Sequence, residues 1–428
     1  MRIRFYNCRI LTMQEPLQIM EGELQVEDGR IRYVGEQQPH GSEVWDREID
    51  GNGCLLMPGF KNAHTHSGMT VLRSFADDLP LKQWLYDLVF KVEADLTSED
   101  IYHLTRLAVL EYLTSGITAV FDMYLTPESI HEAFVSCGMR NVQVSGLNDF
   151  SQSVEMMEEM YKKLNHADAL SGYRLGFHAE YTCSLELLKK IAETAARYQA
   201  PVFMHNSETK EEVEACIQKY GKTPTALFDE LGIFDYGGGG YHCVHFTEED
   251  IEIFRRRKLS VVTNPASNLK LASGIAPISR FLEAGVNVAI GTDGPASNNC
   301  LDMFREMFLV TGLAKYLDQN AASVDAAEVL RMATVGGAKA MGLAECETLS
   351  PGSLADLIMI DLNQPNMQPL NNIVKNIVYS GSKQNVKMTM INGKILYEDG
   401  IFSVGEDVSV IYQEADRIVK GLQKYFQI

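Results

Sequence analysis

Short apolar runs separated by polar turns predict strands at both ends of the chain. Between two of these runs, Asp28-Gly29 is a typical hairpin turn, and Asn392-Gly393 takes the same position near the other end. The predicted strands are residues 3–6, 23–26, 30–34, 356–360, 386–391 and 394–397. We expect residues 1–57 and 345–428 to fold together into one small composite β-sandwich domain, with a last helix at roughly 411–426.

The middle of the chain has a different pattern, in which short apolar runs alternate with amphipathic helical stretches. Clear examples of the apolar runs are residues 117–121, 202–205 and 286–290. Repeated β-α units over residues 58–344 predict a (β/α)8 barrel, a TIM-like fold of the α/β class. Gly237 to Gly240 lacks the lysine of a phosphate loop, and we interpret it as a flexible loop.

Composition narrows the classes of partner. The 38 basic and 57 acidic residues give a net charge of −19, which argues against binding to nucleic acid or to an anionic membrane. The N-terminus has no signal-peptide pattern, and no apolar run approaches the length of a membrane span, so we expect a cytoplasmic protein. The eight cysteines show no C-x-x-C spacing and are expected to be reduced core residues.

The most informative chemistry lies in the run Pro58 to Ser67. His64 and His66 are two positions apart, so in a strand their side chains share a face and can reach one metal ion. Two unrelated histidines are the alternative. Further ligands should come from the C-terminal ends of other barrel strands, where the active sites of such barrels form.

Two such strand ends carry suitable side chains. His205 ends the run Pro201 to Met204, although a core histidine bonded to backbone would look the same, and Asp293 follows the run Val286 to Ile290, where an ordinary turn is the alternative. Together with His64 and His66 they give three nitrogens and one carboxylate. This set predicts one divalent metal ion at a zinc-type site, although the residues do not distinguish zinc from iron.

Other polar residues at strand ends could handle protons or contact substrate. Glu208 precedes a capping box that begins at Thr209, so it should lie on a loop and face the metal-bound water as a proton shuttle. His242 precedes Cys243-Val244-His245, which we predict to be a short apolar strand. Because 242 and 245 differ by an odd number, only one of the two imidazoles should face the barrel centre, and we favour His242 to orient the attacking hydroxide. His178 is a candidate substrate contact. Exposed or core positions are the alternative for all of these.

These residues, in this order along essentially the whole chain, resemble the amidohydrolase superfamily. The matching segments are Pro58 to His66, His205 to Glu208, His242 to His245, Asn264 to Gly274, Gly291 to Gly294 and Pro351 to Leu357. The resemblance implies one metal ion held by His64, His66, His205 and Asp293, with Glu208 and His242, assisted by Asp293, as catalytic groups. It also implies a homo-oligomer.

Within the superfamily the chain is most similar to the 5-methylthioadenosine/S-adenosylhomocysteine deaminase group, which shares the stretch from Leu72 to Leu81. The resemblance implies that Trp84 and Glu93 bind the nucleoside, because a carboxylate can accept hydrogen bonds from both ribose hydroxyls and an indole offers an apolar wall. It also matches Arg140 to a substrate-side arginine. A second arginine common in the group is missing from Val144 to Leu147, which weakens the case for a substrate with a carboxyl group.

The sequence therefore predicts a metal-dependent hydrolytic deaminase of an adenine nucleoside: 5-methylthioadenosine, S-adenosylhomocysteine or adenosine. The alternative keeps the site but changes the substrate to guanine, cytosine or a triazine. A metal-bearing protein without catalytic activity is a third hypothesis, and it is disfavoured because both Glu208 and His242 are present.

Overall fold

The structure is a computed structural model that describes residues 1–39, 41, 43–75, 77–79 and 83–426. Its strands form two sheets, one of eight strands and one of nine. The eight strands, which we number β6 to β13, are Phe60–Thr65, Ile117–Asp122, Arg140–Val144, Ser171–Gly176, Val202–Asn206, Gly238–His242, Ser260–Thr263 and Asn287–Ile290. They are parallel, and each pairs with the next one along the chain, which confirms the predicted TIM-like barrel.

The barrel closes between its first and last strands through side chains. Asn62 of β6 donates from its amide nitrogen to the hydroxyl of Thr292 at 2.7 Å, and its amide oxygen accepts the Thr292 N–H at 2.9 Å. The next residue, Asp293, donates its N–H to the carbonyl oxygen of His64 at 3.0 Å. Two residues predicted to bind the metal ion therefore lie on either side of this seam.

Helices connect the barrel strands and cover them. In chain order the α-helices are Phe90–Glu93, Ser98–Thr114, Pro127–Cys137, Val154–Leu164, Leu185–Tyr198, Lys210–Tyr220, Pro224–Glu230, Glu248–Arg257, Pro265–Lys270, Ile278–Glu283, Pro295–Asn298, Met303–Leu317, Ala326–Arg331, Gly337–Met341, Ile373–Tyr379, Val408–Gly421 and Gln423–Phe426. Two segments, Trp84–Val89 and Met332–Gly336, are π-helical. Short 3₁₀ turns lie at Ser67–Leu72, Glu180–Thr182, Ala344–Cys346, Pro365–Met367 and Lys383–Asn385. The last helix, predicted at roughly 411–426, is present as two consecutive helices, Val408–Gly421 and Gln423–Phe426.

The second sheet unites the two ends of the chain. Its strands are β1 to β5 (Arg2–Leu11, Ile19–Glu27, Arg30–Gly35, Arg47–Asp50 and Leu55–Pro58) and β14 to β17 (Leu357–Ile360, Val386–Ile391, Lys394–Glu398 and Ile401–Phe402). Strand β5 pairs with β1 on one side and with β14 on the other, so the predicted composite domain takes the form of one continuous mixed sheet. Because β5 runs into β6 through Gly59, the same segment leads into the barrel.

The predicted glycine loop is wrong. Gly238 to Gly240 begin strand β11, where a side chain has no room: a Cβ on Gly238 would lie 1.9 Å from the carbonyl oxygen of Val202, and one on Gly239 would lie 2.3 Å from that of Ser260. The glycines let neighbouring strand backbones approach closely. The strand ends at His242, so the predicted strand from Cys243 to His245 is wrong as well.

The remaining general predictions concern cysteines and membranes. All eight cysteines are free thiols, and all but Cys300 are buried, as expected. Among the described residues, the helices are too short or too polar to cross a bilayer.

Candidate active site

Four side chains predicted to bind a metal ion converge at one end of the barrel. His64 lies on β6 and His205 on β10, while His66 and Asp293 lie just beyond the ends of their strands. The Oδ1 atom of Asp293 is 3.1 Å from Nε2 of His66 and 3.5 Å from Nε2 of His64. The rings of His64 and His205 are 4.9 Å apart between centroids.

Backbone carbonyls orient two of the imidazoles. The Nδ1–H of His205 donates to the carbonyl oxygen of His178 at 2.8 Å, and the Nδ1–H of His66 donates to that of Met123. In both rings the Nε2 atom faces the centre of the site, where that of His66 meets Oδ1 of Asp293. Hydrogen bonds of this kind commonly orient imidazoles that bind metals.

His64 has a different environment. It is fully buried and stacks on the ring of Tyr241, with centroids 3.8 Å apart, and neither of its ring nitrogens has a hydrogen-bond partner among the residues that the structure describes. A buried polar atom without a hydrogen-bond partner costs free energy of folding. The lone pair on a ring nitrogen of His64 is therefore available to bind a ligand such as a metal ion.

Two serines fix the carboxylate of Asp293. Its Oδ2 atom accepts hydrogen bonds from the hydroxyls of Ser267 at 2.6 Å and Ser297 at 2.7 Å, which leaves Oδ1 facing the histidines. His64, His66 and Asp293 offer ligand atoms within 4.8 Å of one another, and so do His64, His205 and His242. The nitrogens and the carboxylate oxygen therefore fit a divalent metal ion.

Glu208 lies on the loop after β10, as predicted, and it is buried. Burial raises the pKa of its carboxyl group, while the nearby His242 acts in the opposite direction. Its Oε1 atom accepts a hydrogen bond from the Ser273 hydroxyl at 3.1 Å, and Oε2 lies 3.8 Å from Nε2 of His242. The predicted capping box is also present: the Thr209 hydroxyl accepts the N–H of Glu212 at 3.2 Å, and the Glu212 carboxylate accepts the N–H of Thr209 at 3.5 Å. The same carboxylate accepts the N–H groups of Ser207 and Glu208 at 3.2 and 2.9 Å and so holds this loop in place.

His242, rather than His245, faces the other site residues. Its Nδ1–H donates to the Asn268 side-chain oxygen at 2.7 Å, so that Nε2 is directed towards Glu208. The Nε2–H of His245 donates instead to the carbonyl oxygen of Ser273 at 2.7 Å. The backbone turns into the left-handed region at His242, with a φ of +70°, so the divergence follows from this turn and not from strand alternation alone.

A cavity of about 370 Å³ opens above the cluster. Its lining includes Trp84, Glu93 and His178, which were predicted to contact substrate, as well as Glu208, His242 and Asp293. Burial raises the pKa of Glu93 to about 7, although the Tyr124 hydroxyl and His66 oppose this rise, and burial lowers the pKa of His178 to about 4. His178 is therefore neutral at pH 7.

Trp84 and Glu93 reach the same cavity because of the π-helical segment Trp84–Val89. Nine residues of regular α-helix make about two and a half turns, which would put the two side chains on opposite faces. The wider π-helical turn changes this register before the α-helix Phe90–Glu93 begins. The stretch Leu72 to Leu81, which resembles the deaminase group, precedes this segment. Three of its residues, Ala76, Pro80 and Leu81, lie outside the described residues.

The prediction that Arg140 contacts substrate is wrong. Arg140 begins strand β8, so it lies at the opposite end of the barrel from the cavity. Its guanidinium is buried and donates from Nε to Oδ2 of Asp356 at 2.5 Å and from Nη2 to Oδ1 at 3.0 Å. Asp356 also accepts the N–H of Asn392 at 2.8 Å, so the ion pair joins the barrel to the composite sheet.

Several residues that shape the site carried no individual prediction. Ser267 and Asn268 belong to a segment that matched the superfamily, but their roles depend on Asp293 and His242, which come from other strands. Ser297 and Tyr124 gave no signal in the sequence. Only the assembled barrel shows what these side chains contact.

Comparison with known proteins agrees with the resemblance to the amidohydrolase superfamily. The model of the amidohydrolase family matches residues 55–396. A 5-methylthioadenosine/S-adenosylhomocysteine deaminase from Caldanaerobacter subterraneus subsp. tengcongensis is 40% identical over 99% of both chains. The crystal structure of an adenosine deaminase from Xanthomonas campestris, with bound zinc, aligns with a TM-score of 0.92 at 31% identity and covers 99% of this chain and 98% of that one.

A more distant structure shares the fold alone. The atrazine chlorohydrolase from Arthrobacter aurescens, complexed with zinc, aligns with a TM-score of 0.89 at 22% identity, covering 97% of this chain and 100% of that one.

Proposed function

This chain belongs to the amidohydrolase family, and on that premise we propose that it is a metal-dependent hydrolytic deaminase of adenine nucleosides. Water adds to the ring carbon that carries the amino group, that carbon–nitrogen bond breaks, and ammonia leaves with the inosine-type product. One observation carries the proposal. The histidines and Asp293 of the candidate metal site lie at the same cavity as Glu208, Trp84 and Glu93. Its full-length relatives act on nucleosides of this class, as their names state.

His64, His66, His205 and Asp293 would hold the metal ion, and we propose zinc, with iron as the alternative. When bound, such an ion supplies the positive charge that activates water near neutral pH. The similar adenosine deaminase structure contains zinc, which supports this choice.

Protons are moved by two residues outside the proposed ligand set. Because burial raises its pKa, Glu208 can take a proton from water and deliver it to the ring nitrogen next to the reacting carbon. His242, held through Nδ1 by the Asn268 side chain, directs Nε2 at the same water and fixes its direction of attack through a hydrogen bond. The Ser273 hydroxyl keeps the Glu208 carboxyl group in position through the reaction.

Three further residues bind the nucleoside. The Glu93 carboxylate accepts hydrogen bonds from the ribose hydroxyls, and Trp84 forms an apolar wall. His178, neutral and bonded through Nδ1 to the Thr182 hydroxyl at 3.0 Å, offers its other ring nitrogen to the base.

The direct test is the ultraviolet change from adenine to hypoxanthine. Metal-loaded protein is incubated separately with adenosine, 5-methylthioadenosine and S-adenosylhomocysteine, with guanine and cytosine as controls. We expect release of ammonia from at least one adenine nucleoside, and much slower or no reaction with the free bases. If none of the nucleosides reacts while metal analysis shows a loaded site, the proposal is wrong; reaction of guanine or cytosine would then identify a base deaminase, and triazines would be the next substrates to test.

Replacing Glu93 with alanine tests the ribose contact. We expect kcat/KM for nucleosides to fall by about 10 to 100-fold, because the two hydroxyls lose a charged acceptor. Activity on a free base, if any is detectable, should change little. Asp87→Ala is the matched control, since Asp87 is an exposed acid on the π-helical segment Trp84–Val89, which leads directly into the helix that carries Glu93.

The pH dependence gives a second test of Glu93. Its pKa of about 7 means that the carboxyl group takes up a proton as the pH falls through neutrality, and the protonated group offers fewer acceptor sites. KM for nucleosides should therefore rise below about pH 7, and this rise should vanish in Glu93→Ala. A KM profile that is identical in both proteins would remove Glu93 from ribose binding.

A further inference from the structure

We infer that the outer part of the cavity is an apolar subsite for the 5′ substituent of the nucleoside, and that the enzyme therefore prefers an uncharged thioether to an amino-acid tail. This inference rests on the proposed function. It concerns the apolar side chains of Phe90, Leu125 and Phe150, which we call the rim.

The rim residues line the cavity and are partly open to solvent. The proposed metal ligands at the base of the cavity are largely buried. Phe150 is the most open of the three, with 60% of its surface exposed. Its ring meets that of Phe90 edge to face, with centroids 5.8 Å apart, and Tyr86 packs on the other side of Phe90 at 5.4 Å. An exposed phenylalanine at the opening of a cavity is apolar surface that a bound ligand can cover.

The loop that carries Phe150 is held by hydrogen bonds. The side-chain oxygen of Asn148 accepts the N–H groups of Phe150 at 3.0 Å and Ser151 at 2.9 Å, and Asp149 donates its N–H to the carbonyl oxygen of Thr182 at 3.1 Å. The rim is therefore formed before substrate binds, and little conformational entropy is lost when a ligand covers it.

Position along the cavity assigns this surface to the 5′ substituent. The reacting amino group must lie at the buried cluster, and Glu93 receives the ribose hydroxyls. Phe90 lies on the same short helix as Glu93, one turn away, so the rim adjoins the ribose. The substituent on the 5′ carbon then points towards the partly exposed end of the cavity.

The charges of the lining favour a neutral substituent. Among the described residues that line the cavity, the charged side chains are the acids Glu93, Glu208 and Asp293, and neither lysine nor arginine is present. Lys82 lies outside the described residues. A carboxylate in this position would lose water without gaining a lysine or arginine partner and would lie near Glu93, whereas a thioether sulfur contacts aromatic ring edges favourably.

The experiment compares kcat/KM for 5-methylthioadenosine, adenosine and S-adenosylhomocysteine on the metal-loaded wild-type enzyme. We expect 5-methylthioadenosine to exceed S-adenosylhomocysteine by about tenfold or more, since an unpaired carboxylate is strongly disfavoured. Equal or greater activity on S-adenosylhomocysteine overturns the inference, whatever group then binds the tail. Reaction with none of the three contradicts the proposed function instead, so the two failures are distinguishable.

The Phe150→Ala variant tests the rim itself. KM for 5-methylthioadenosine should rise about 5 to 20-fold with kcat little changed, whereas KM for adenosine should change less than about twofold because its 5′ hydroxyl gains little from an aromatic ring. Phe308→Ala removes a phenylalanine that is 52% exposed on the helix Met303–Leu317, outside the cavity, and serves as the matched control. An equal rise in KM for both substrates in Phe150→Ala would show that the rim does not discriminate between 5′ substituents.

Discussion

Replacing Glu208 with glutamine is expected to lower kcat by about 10²–10⁴-fold, the usual contribution of a general acid–base residue. Glutamine keeps the shape of the side chain and can still accept from the Ser273 hydroxyl, but it cannot take up and release a proton. Because Glu208 is outside the proposed ligand set, the variant should bind as much metal as the wild type. Turnover is followed by the loss of adenine absorbance, and metal content by elemental analysis.

Glu211→Gln is the control for this substitution. Glu211 is exposed on the helix Lys210–Tyr220, so it tests the loss of a nearby negative charge without touching the cavity. Its kcat should stay within about twofold of the wild type, as for other exposed substitutions. If Glu208→Gln retained full activity, another residue would have to transfer the proton, and His242 would be the next to examine.

Replacing Arg140 with methionine is expected to reduce the free energy of unfolding by about 3–5 kcal/mol, because the carboxylate of Asp356 would stay buried without its main partner. Asp356 would keep the N–H of Asn392, which does not balance a full negative charge. The measurement is a denaturant titration, or a thermal scan at a fixed rate if unfolding is irreversible. At a temperature where the variant is folded, KM should be unchanged, since Arg140 is remote from the cavity.

Two further variants identify the cause. Arg140→Met combined with Asp356→Leu removes both charges and should recover most of the lost stability, since replacing a buried pair by apolar residues is often neutral. Lys163→Met breaks an exposed ion pair with Glu128 and should cost less than about 1 kcal/mol. A large rise in KM in Arg140→Met, without loss of stability, would return Arg140 to the substrate site.

The sequence was sufficient to predict the barrel and the convergence of His64, His66, His205 and Asp293, because both depend on local patterns. His64 and His66 share a face through strand alternation, and His205 and Asp293 follow apolar runs whose C-terminal ends must meet in a parallel barrel. The capping box at Thr209 is equally local, and it gave the position of Glu208 correctly.

The errors arose where the outcome depends on neighbours distant in sequence. A side chain near a strand contacts substrate only if it lies at the C-terminal end, and the pattern around Arg140 did not show that β8 begins there. Gly238 to Gly240 looked like a loop because glycine is common in loops. Their real constraint is the closeness of the Val202 and Ser260 backbones, which no local pattern reveals.

The π-helical turn at Trp84–Val89 has a consequence for how substrate range can diverge among proteins with this fold. If the same residues wound as regular α-helix, with no change in their number, Glu93 would turn to the face opposite Trp84, while His64, His66, His205 and Asp293 kept their positions. In the proposed function, the contact of Glu93 with the ribose therefore depends on the winding of one short segment as well as on the identity of its residues. Two proteins with identical catalytic residues can therefore differ in substrate range through the winding of one helical segment.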